Sequence, residues 1–246
     1  MAAKQRVDQL LVSRGLAETR SRAQALIMAG LVLSGTRRID KPSVMLEADA
    51  PLAVRGKEHP WVSRGGVKLV HALDHFAIEP AGMICLDIGA STGGFTQVLL
   101  ARGAAKIYAI DVGHGQLDWS LRRDARVVVL ERVNARHLSR EHVPEPVDLV
   151  VCDASFIGLR TVLPAPLALT KPRALLVALI KPQFEAGPER VGKGGIVRDP
   201  GVHAEVCATI RDWLAAQPGW SVLGLVESPI EGADGNKEFL IAARRK

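Results

Sequence analysis

The chain has 246 residues, 48% of them hydrophobic and 24% charged. That composition excludes a disordered polypeptide and leaves room for one sizeable α/β domain with a smaller unit beside it. The longest apolar run, residues 174 to 180, is too short to cross a bilayer, and the N-terminus lacks the apolar core of a signal peptide, so a cytoplasmic protein with no membrane partner is expected.

The net charge of +6 is unevenly spread: residues 1–60 hold ten basic and six acidic side chains, and the remaining 186 hold 22 and 20. Concentrated positive charge suits a polyanionic partner, although a merely solvated basic face gives the same count. Cys85, Cys152 and Cys207 show neither pairing nor ligand spacing and read as small buried hydrophobes. No C-x-x-C or H-E-x-x-H pattern occurs, so no metal site is expected.

In chain order, Val7, Leu10 and Leu11 form a helical stripe that ends near Gly15. Thr19 is a candidate N-cap for a second helix carrying Ala23, Leu26 and Ile27, with Gly30 closing it. Leu31-Val32-Leu33 reads as a strand, Ser34-Gly35 as a turn, and Pro51-Leu52-Ala53-Val54 as a closing strand. A polar stretch around Gly56 to Pro60 marks a linker. A helix over about 66–77 then precedes strands at 83–88, 106–110, 126–130, 148–152, 174–180, 221–226 and 239–243. Buried apolar strands alternating with helices predict a doubly wound, mostly parallel sheet. The last two strands leave no room for a helix between them, so one must run antiparallel.

Asp87-Ile88-Gly89-Ala90-Ser91-Thr92-Gly93-Gly94-Phe95 follows the first of these strands and opens a helix. Glycines let backbone approach a ligand closely, and in open α/β sheets the ligand crevice lies beyond the strand C-termini. Ser91 stands where a dinucleotide fingerprint needs its second glycine, and Asp87 would repel a phosphate. Both features favour S-adenosylmethionine, which is cationic and carries no phosphate. Asp111 closes the next strand, where an acid grips ribose hydroxyls, and Asn134 is a candidate contact on the adenine side. A Gly-rich turn with no ligand is the alternative, and Asn134 taken singly reads as a turn residue.

Asp153 and Lys181 end two further strands and point to the same crevice. A lysine closing a buried strand is unusual, because lysines are rarely inside unless paired. Glu238 opens the last strand and Lys68 lies on the helix before the sheet. Together they suggest a lysine–acid–lysine–acid cluster. A ribose hydroxyl needs a base when it attacks a methyl sulfonium, and a neutral lysine can serve where burial and a neighbouring positive charge favour the amine. Lys181 is then the base, Lys68 orients the hydroxyl, and Asp153 and Glu238 hold the lysines. Singly, Lys68 could be a solvated helix residue, Asp153 a turn cap and Glu238 an edge charge.

Several strings carry a family resemblance. Residues 6–54, with Arg6-Val7-Asp8, Thr19-Arg20-Ser21-Arg22-Ala23-Gln24, Gly30-Leu31-Val32 and Lys41-Pro42-Ser43, resemble the S4-like RNA-binding domain. Residues 61–243 resemble the FtsJ-like ribose methyltransferases. The domain order, with Ser63-Arg64-Gly65-Gly66-Val67-Lys68-Leu69, Asp111-Val112-Gly113-His114-Gly115-Gln116-Leu117, Asn134-Ala135-Arg136 and Ile180-Lys181-Pro182-Gln183-Phe184-Glu185, is similar to the TlyA family, also labelled hemolysin A. The resemblance implies an S4-like domain over 1–55, a linker over 56–62 and a Rossmann-like class I methyltransferase domain over 63–246. It implies S-adenosylmethionine-dependent 2′-O-methylation of ribosomal RNA, of a cytidine, with ribosomal RNA or ribosomal subunits as partner and no protein partner. The family's tetrad falls on Lys68, Asp153, Lys181 and Glu238. Its cofactor contacts fall on Asp87, the turn Gly89, Ala90, Ser91, Thr92, Gly93, Gly94 and Phe95, then Asp111, Val112, Asn134 and Ala135. RNA contacts fall on Arg6, Arg20 and Lys41, with Arg14, Arg22, Arg37 and Arg38 as further candidates. Trp61-Val62 also matches the segment that couples the domains, with simple core packing as the other reading.

Three other functions compete. A non-catalytic RNA-binding or ribosome-assembly factor would need only the small domain. A membrane-active hemolysin would need a secretion signal and an amphipathic or spanning segment. A base methyltransferase of this fold carries Asp/Asn-Pro-Pro-Tyr/Phe where this chain reads Asp153-Ala154-Ser155-Phe156.

Overall fold

The computed structural model describes residues 4–17, 19–28, 30–54, 59–232 and 235–246. Contacts divide the chain into two compact units, Met1–Pro60 and Trp61–Lys246. Of the sequence-derived linker, residues 56–58 lie outside the described residues.

The first unit runs β1 (Lys4–Arg6), α1 (Val7–Ser13), α2 (Arg20–Met28), β2 (Val32–Ser34), β3 (Arg37–Ile39), β4 (Met45–Glu47) and β5 (Ala53–Val54). Val7, Leu11, Ala23, Ile27, Val32 and Ile39 pack into its core. The Thr19 hydroxyl accepts from the Arg22 backbone N–H at 3.2 Å, as an N-cap should. Strand β2 pairs antiparallel with β3 and β5, while β1 pairs with β4. The sequence pattern does not reveal β1, β3 or β4. Each has three residues, and β1 and β3 carry mostly charge, so neither period nor apolar run distinguishes them from loop.

The second unit begins with α3 (Gly65–His75), β6 (Ile84–Ile88), α4 (Gly94–Ala101), β7 (Lys106–Asp111), α5 (Trp119–Arg122), β8 (Val127–Glu131) and β9 (Val147–Cys152). It continues with α6 (Leu159–Val162), α7 (Pro164–Ala168), β10 (Thr170–Ile180), α8 (Pro182–Glu185), α9 (Pro200–Ala215), β11 (Trp220–Glu227) and β12 (Phe239–Arg245). The strands form one sheet in the order β11-β12-β10-β9-β6-β7-β8. All pairs are parallel except those of β12, which runs antiparallel to both β10 and β11. Strand β10 starts earlier than its apolar run, at Thr170. A bulge between Thr170 and Leu175, with Arg173 at φ 65°, accommodates Pro172.

Side chains alternate between two buried faces. Leu86, Ile88, Val150, Cys152, Leu176 and Ala178 join the core beneath α9. Cys85, Leu149, Val151, Leu175, Val177 and Leu179 join the core beneath α3 and α4. A sheet covered on both sides explains why these strands read as continuous apolar runs. The chain leaves β6 toward β7 and β8, then returns to lay β9 on the other side of β6. That reversal opens a crevice beyond the C-termini of β6 and β9, where open α/β sheets bind ligands.

Leu86 is fully buried in the central strand. Leu86→Ala is expected to lower unfolding stability by about 2–5 kcal/mol, read from the urea midpoint at unchanged m-value; a loss below about 0.5 kcal/mol would contradict this packing.

Candidate active site

The turn after β6 is shaped by close backbone contact. Gly89 (φ 78°) and Ala90 donate their N–H groups to the Ile110 carbonyl at 2.9 and 3.1 Å. A Cβ on Gly89 would stand 2.9 Å from the Asp153 carbonyl, so only glycine lets the β6 and β9 loops meet there. Ser91 takes a left-handed φ of 47° and donates its backbone N–H to Asp111 Oδ2 at 2.8 Å, while Gly113 N–H reaches Asp111 Oδ1 at 2.7 Å. Each carboxylate oxygen of Asp111 thus has one backbone donor and keeps a lone pair for another.

Two cavities meet at this turn, and Gly89, Ser91, Asp153, Ser155 and Phe156 line both. The first, about 410 Å³, is lined by Lys68, Asp153, Lys181 and Glu238 together with Ala90, Thr92, Gly94 and Phe95. The second, about 670 Å³, is lined by Asp111, Val112, Asn134 and Ala135. Asn134 also caps the short turn at Ala135–His137, its Oδ1 accepting from Arg136 N–H at 3.1 Å. Neither Asp87 nor Gly93 lines either cavity. Gly93 sits against Leu117 and Leu121, where a Cβ would collide. Asp87 is fully buried behind the turn; the Thr96 hydroxyl donates to its Oδ2 at 2.6 Å, and among the described residues its Oδ1 has no hydrogen-bond partner. Burial, opposed by Thr96 and helped by the Asp153 and Asp111 charges, pushes the Asp87 carboxyl up to about 7.

The four polar side chains form two ion pairs. Lys68 Nζ lies 2.5 Å from Glu238 Oε2, and Lys181 Nζ lies 2.6 Å from Asp153 Oδ1. Lys68, Lys181 and Glu238 are all buried. The antiparallel register, Ile180 opposite Phe239, puts the residue after β10 beside the residue before β12. Sequence reasoning missed three neighbours. The Ser155 hydroxyl accepts from Lys181 Nζ at 2.8 Å. Asn236 ties the loop at 192–198 to the site, accepting from Val197 N–H and donating to the Gly195 carbonyl, both at 3.0 Å. Phe156 stands at the cavity mouth, 91% exposed and at φ 64°, its ring 5.2 Å from that of Phe184. An exposed phenylalanine in a left-handed conformation is costly and points to function. Its sequence signal is only one apolar letter after a strand, which normally means core.

In the first unit, Arg6 and Arg20 both reach Asp8, at 3.0 and 2.9 Å. Arg14 donates to the carbonyls of Ala50, at 2.6 Å, and Ala48. Arg22, Arg37, Arg38 and Lys41 are exposed, and the Arg38 guanidinium lies over the Gly30 backbone. Trp61 packs against the second unit's core, where Gly66 has no Cβ to obstruct it. Among the described residues no group of His, Cys, Asp and Glu could hold a metal ion, and no helix is long and apolar enough to cross a membrane.

The sheet order with its antiparallel strand, the glycine turn and the terminal acid of β7 define a class I, S-adenosylmethionine-dependent methyltransferase. Comparison with known proteins agrees and narrows the class. Residues 61–245 match the FtsJ-like methyltransferases and residues 5–50 match the S4 domain. The 16S/23S rRNA (cytidine-2′-O)-methyltransferase TlyA of Mycobacterium tuberculosis is 51% identical over 246 residues, 99% of this chain and 91% of that one. Hemolysin A of Brachyspira hyodysenteriae is 40% identical over 96% of this chain and 98% of its own. A solved structure of a hemolysin-named protein from Streptococcus thermophilus superposes with a TM-score of 0.77 at 42% identity, covering 100% of this chain and 90% of that one. The chain belongs to the TlyA family of FtsJ-like methyltransferases.

The buried Asp87 has a stability consequence. Its folded pKa lies above the ordinary carboxylate value, so the folded state keeps its proton up to about pH 7. The stability it contributes is present below about pH 4 and is lost as pH rises through about 7. In scanning calorimetry without ligand, Asp87→Asn should therefore gain on the parent as pH rises from 5 to 8. A Tm difference that stays constant with pH would contradict the burial effect.

Proposed function

We propose that this protein transfers a methyl group from S-adenosylmethionine to the 2′-hydroxyl of a cytidine in ribosomal RNA, working in the cytoplasm on ribosomal RNA or ribosomal subunits. In this reading residues 1–55 dock RNA, residues 56–62 join the two domains, and residues 63–246 carry the chemistry. The observation that carries it is the doubly paired cluster of Lys68, Glu238, Lys181 and Asp153 around a cavity that shares its wall with a second one.

The donor set fits the cofactor. The segment from Gly89 to Phe95 has no lysine or arginine to neutralise a phosphate, and the Asp111 oxygens keep lone pairs suited to a ribose diol. Asp87 lines neither cavity and braces the turn from behind through Thr96. Asp111, Val112, Asn134 and Ala135 would hold the nucleoside, and Gly89 to Thr92 with Gly94 and Phe95 the amino-acid end. When bound, S-adenosylmethionine supplies an electrophilic methyl group on a sulfonium.

The protein must then align a sugar oxygen and take its proton as the C–O bond forms. Once Lys181 has given up the proton that pairs it with Asp153, its Nζ accepts the proton of the sugar hydroxyl, and Asp153 with Ser155 stabilises the ammonium that re-forms. Lys68, fixed by Glu238, donates a hydrogen bond that orients the hydroxyl. The nucleotide enters unstacked from its neighbours, and Phe156 with Phe184 offers its base an aromatic surface.

Incubation with tritiated S-adenosylmethionine and ribosomal subunits tests this directly. Label should enter rRNA as a 2′-O-methyl nucleotide and vanish when the target sugar is 2′-deoxy. No transfer to any ribosomal RNA would leave only an RNA-binding protein. Lys181→Ala should reduce turnover by about 10²–10⁴-fold with cofactor affinity kept within a few-fold; a variant that loses cofactor binding instead would refute the assigned base. Phe156→Ala should lower kcat/KM about tenfold or more through lost base stacking, with cofactor affinity unchanged. An unaltered kcat/KM would remove Phe156 from substrate recognition.

A further inference from the structure

Asp8 has no place in the chemistry above, yet among the described residues it is the most heavily bonded carboxylate of the first unit. It is fully buried in the first turn of α1. Arg6 donates Nε to its Oδ1 and Nη2 to its Oδ2, both at 3.0 Å. Arg20, from the start of α2, donates Nε to Oδ2 at 2.9 Å, and Gln24 Nε2 donates to the same oxygen at 3.1 Å. These donors, Arg6 first, hold the Asp8 carboxyl well below the usual carboxylate range despite its burial. Both guanidiniums nevertheless reach solvent, with side-chain exposures of 36% and 53%.

The donors that remain are the informative part. A guanidinium carries five N–H groups in a rigid plane. Arg20 spends one on Asp8, and among the described residues both of its terminal nitrogens have no partner. Arg6 spends two and keeps Nη1 and half of Nη2. One buried acid therefore fixes the planes of two arginines from different elements while leaving their outer edges free. Unanchored arginines would give up rotamer freedom on meeting an anion; these two have given it up already.

We propose that Asp8 is a positioning residue for RNA binding: it preorganises Arg6 and Arg20 into a single fork that receives a backbone phosphate. The proposal rests on the reading that the first unit docks RNA. Its consequence runs against simple electrostatics. Removing a negative charge from a basic RNA-binding face should tighten binding; removing this one should weaken it.

The test measures affinity of the full chain for deproteinised 23S rRNA between 50 and 200 mM KCl, with folding checked by circular dichroism. Asp8→Asn should bind about fivefold or more weakly and show a shallower dependence of log K on log salt, as expected when a phosphate contact is lost. Arg20→Lys should cost about as much in the parent but less than about twofold on top of Asp8→Asn, because the fork is already undone. Equal or tighter binding by folded Asp8→Asn, or additive losses in the pair, would overturn the proposal. Should Asp8→Asn fail to fold, Arg20→Lys alone decides. It keeps the charge but cannot bond Asp8 and a phosphate through one plane, so unchanged affinity and salt slope would overturn the idea. Arg20→Ala separates the two levels of inference: if it leaves binding intact, RNA docking at this face is wrong, whereas a loss there without a loss in Asp8→Asn rejects only the role of Asp8.

Discussion

The arrangement of the site depends on one strand running the wrong way. In a wholly parallel sheet the residue before a strand lies at the edge opposite the ligand crevice. Strand β12 is antiparallel to β10, with Phe239 opposite Ile180. Its entry point therefore sits at the C-terminal edge, and Glu238 arrives beside Lys181. Lys68 descends from α3 to meet Glu238 at 2.5 Å, which links the helix before the sheet to the last strand. Residues 170 positions apart in the chain thus become direct partners. Reverse that strand and the same sequence would contain a lysine with no acid.

Pairing is what makes this charge density tolerable. A buried ammonium or carboxylate alone is costly, and deleting one member of a buried pair typically costs about 3–5 kcal/mol because the other is stranded. Two lysines and two acids in two pairs leave the cavity wall near neutral overall while tying each ammonium to a carboxylate. Fixed polar atoms are the useful product. A site that aligns an oxygen gains from groups that do not reorganise during the reaction. The glycine turn follows the same rule at the level of backbone: Gly89 permits the β6 and β9 loops to touch, and Asp111 then pins Ser91 and Gly113 through their N–H groups.

Much of this was legible in the sequence, for reasons that can be named. Apolar strands alternating with helices announced the doubly buried sheet, and the short spacing between the last two strands announced that one of them is reversed. Lys181 stood out because an apolar run seldom ends in lysine. Glu238 and Lys68 did not stand out by pattern; a charge at a strand or helix end has too many ordinary explanations, and only resemblance and then the register brought them together. Ser155 and Asn236 were invisible because their bonds cross the chain, to Lys181 and to the loop at 192–198. Phe156 was invisible for a different reason. Its meaning lies in a positive φ and in exposure, and neither is written in the letter F. Asp87 is read from its spacing as a cofactor contact just before the glycine turn, yet whether an acid faces a cavity or stands behind its wall is decided by the side-chain packing around Thr96.

The two units share a device despite their unrelated folds. In the second, Asp153 and Glu238 each hold a lysine at the cavity wall. In the first, Asp8 holds Arg6 and Arg20 at the surface. A protein that handles a polyanion through flexible cations must order them at each encounter, and the entropy lost then is subtracted from affinity or from rate. Acids paired with the cations in the folded state move that ordering into the folding reaction, where packing of the unit offsets it. The excess of +4 in the first 60 residues therefore understates its design. Six acids among ten basic groups look like dilution in a count of charges, but the one at position 8 acts as a mount.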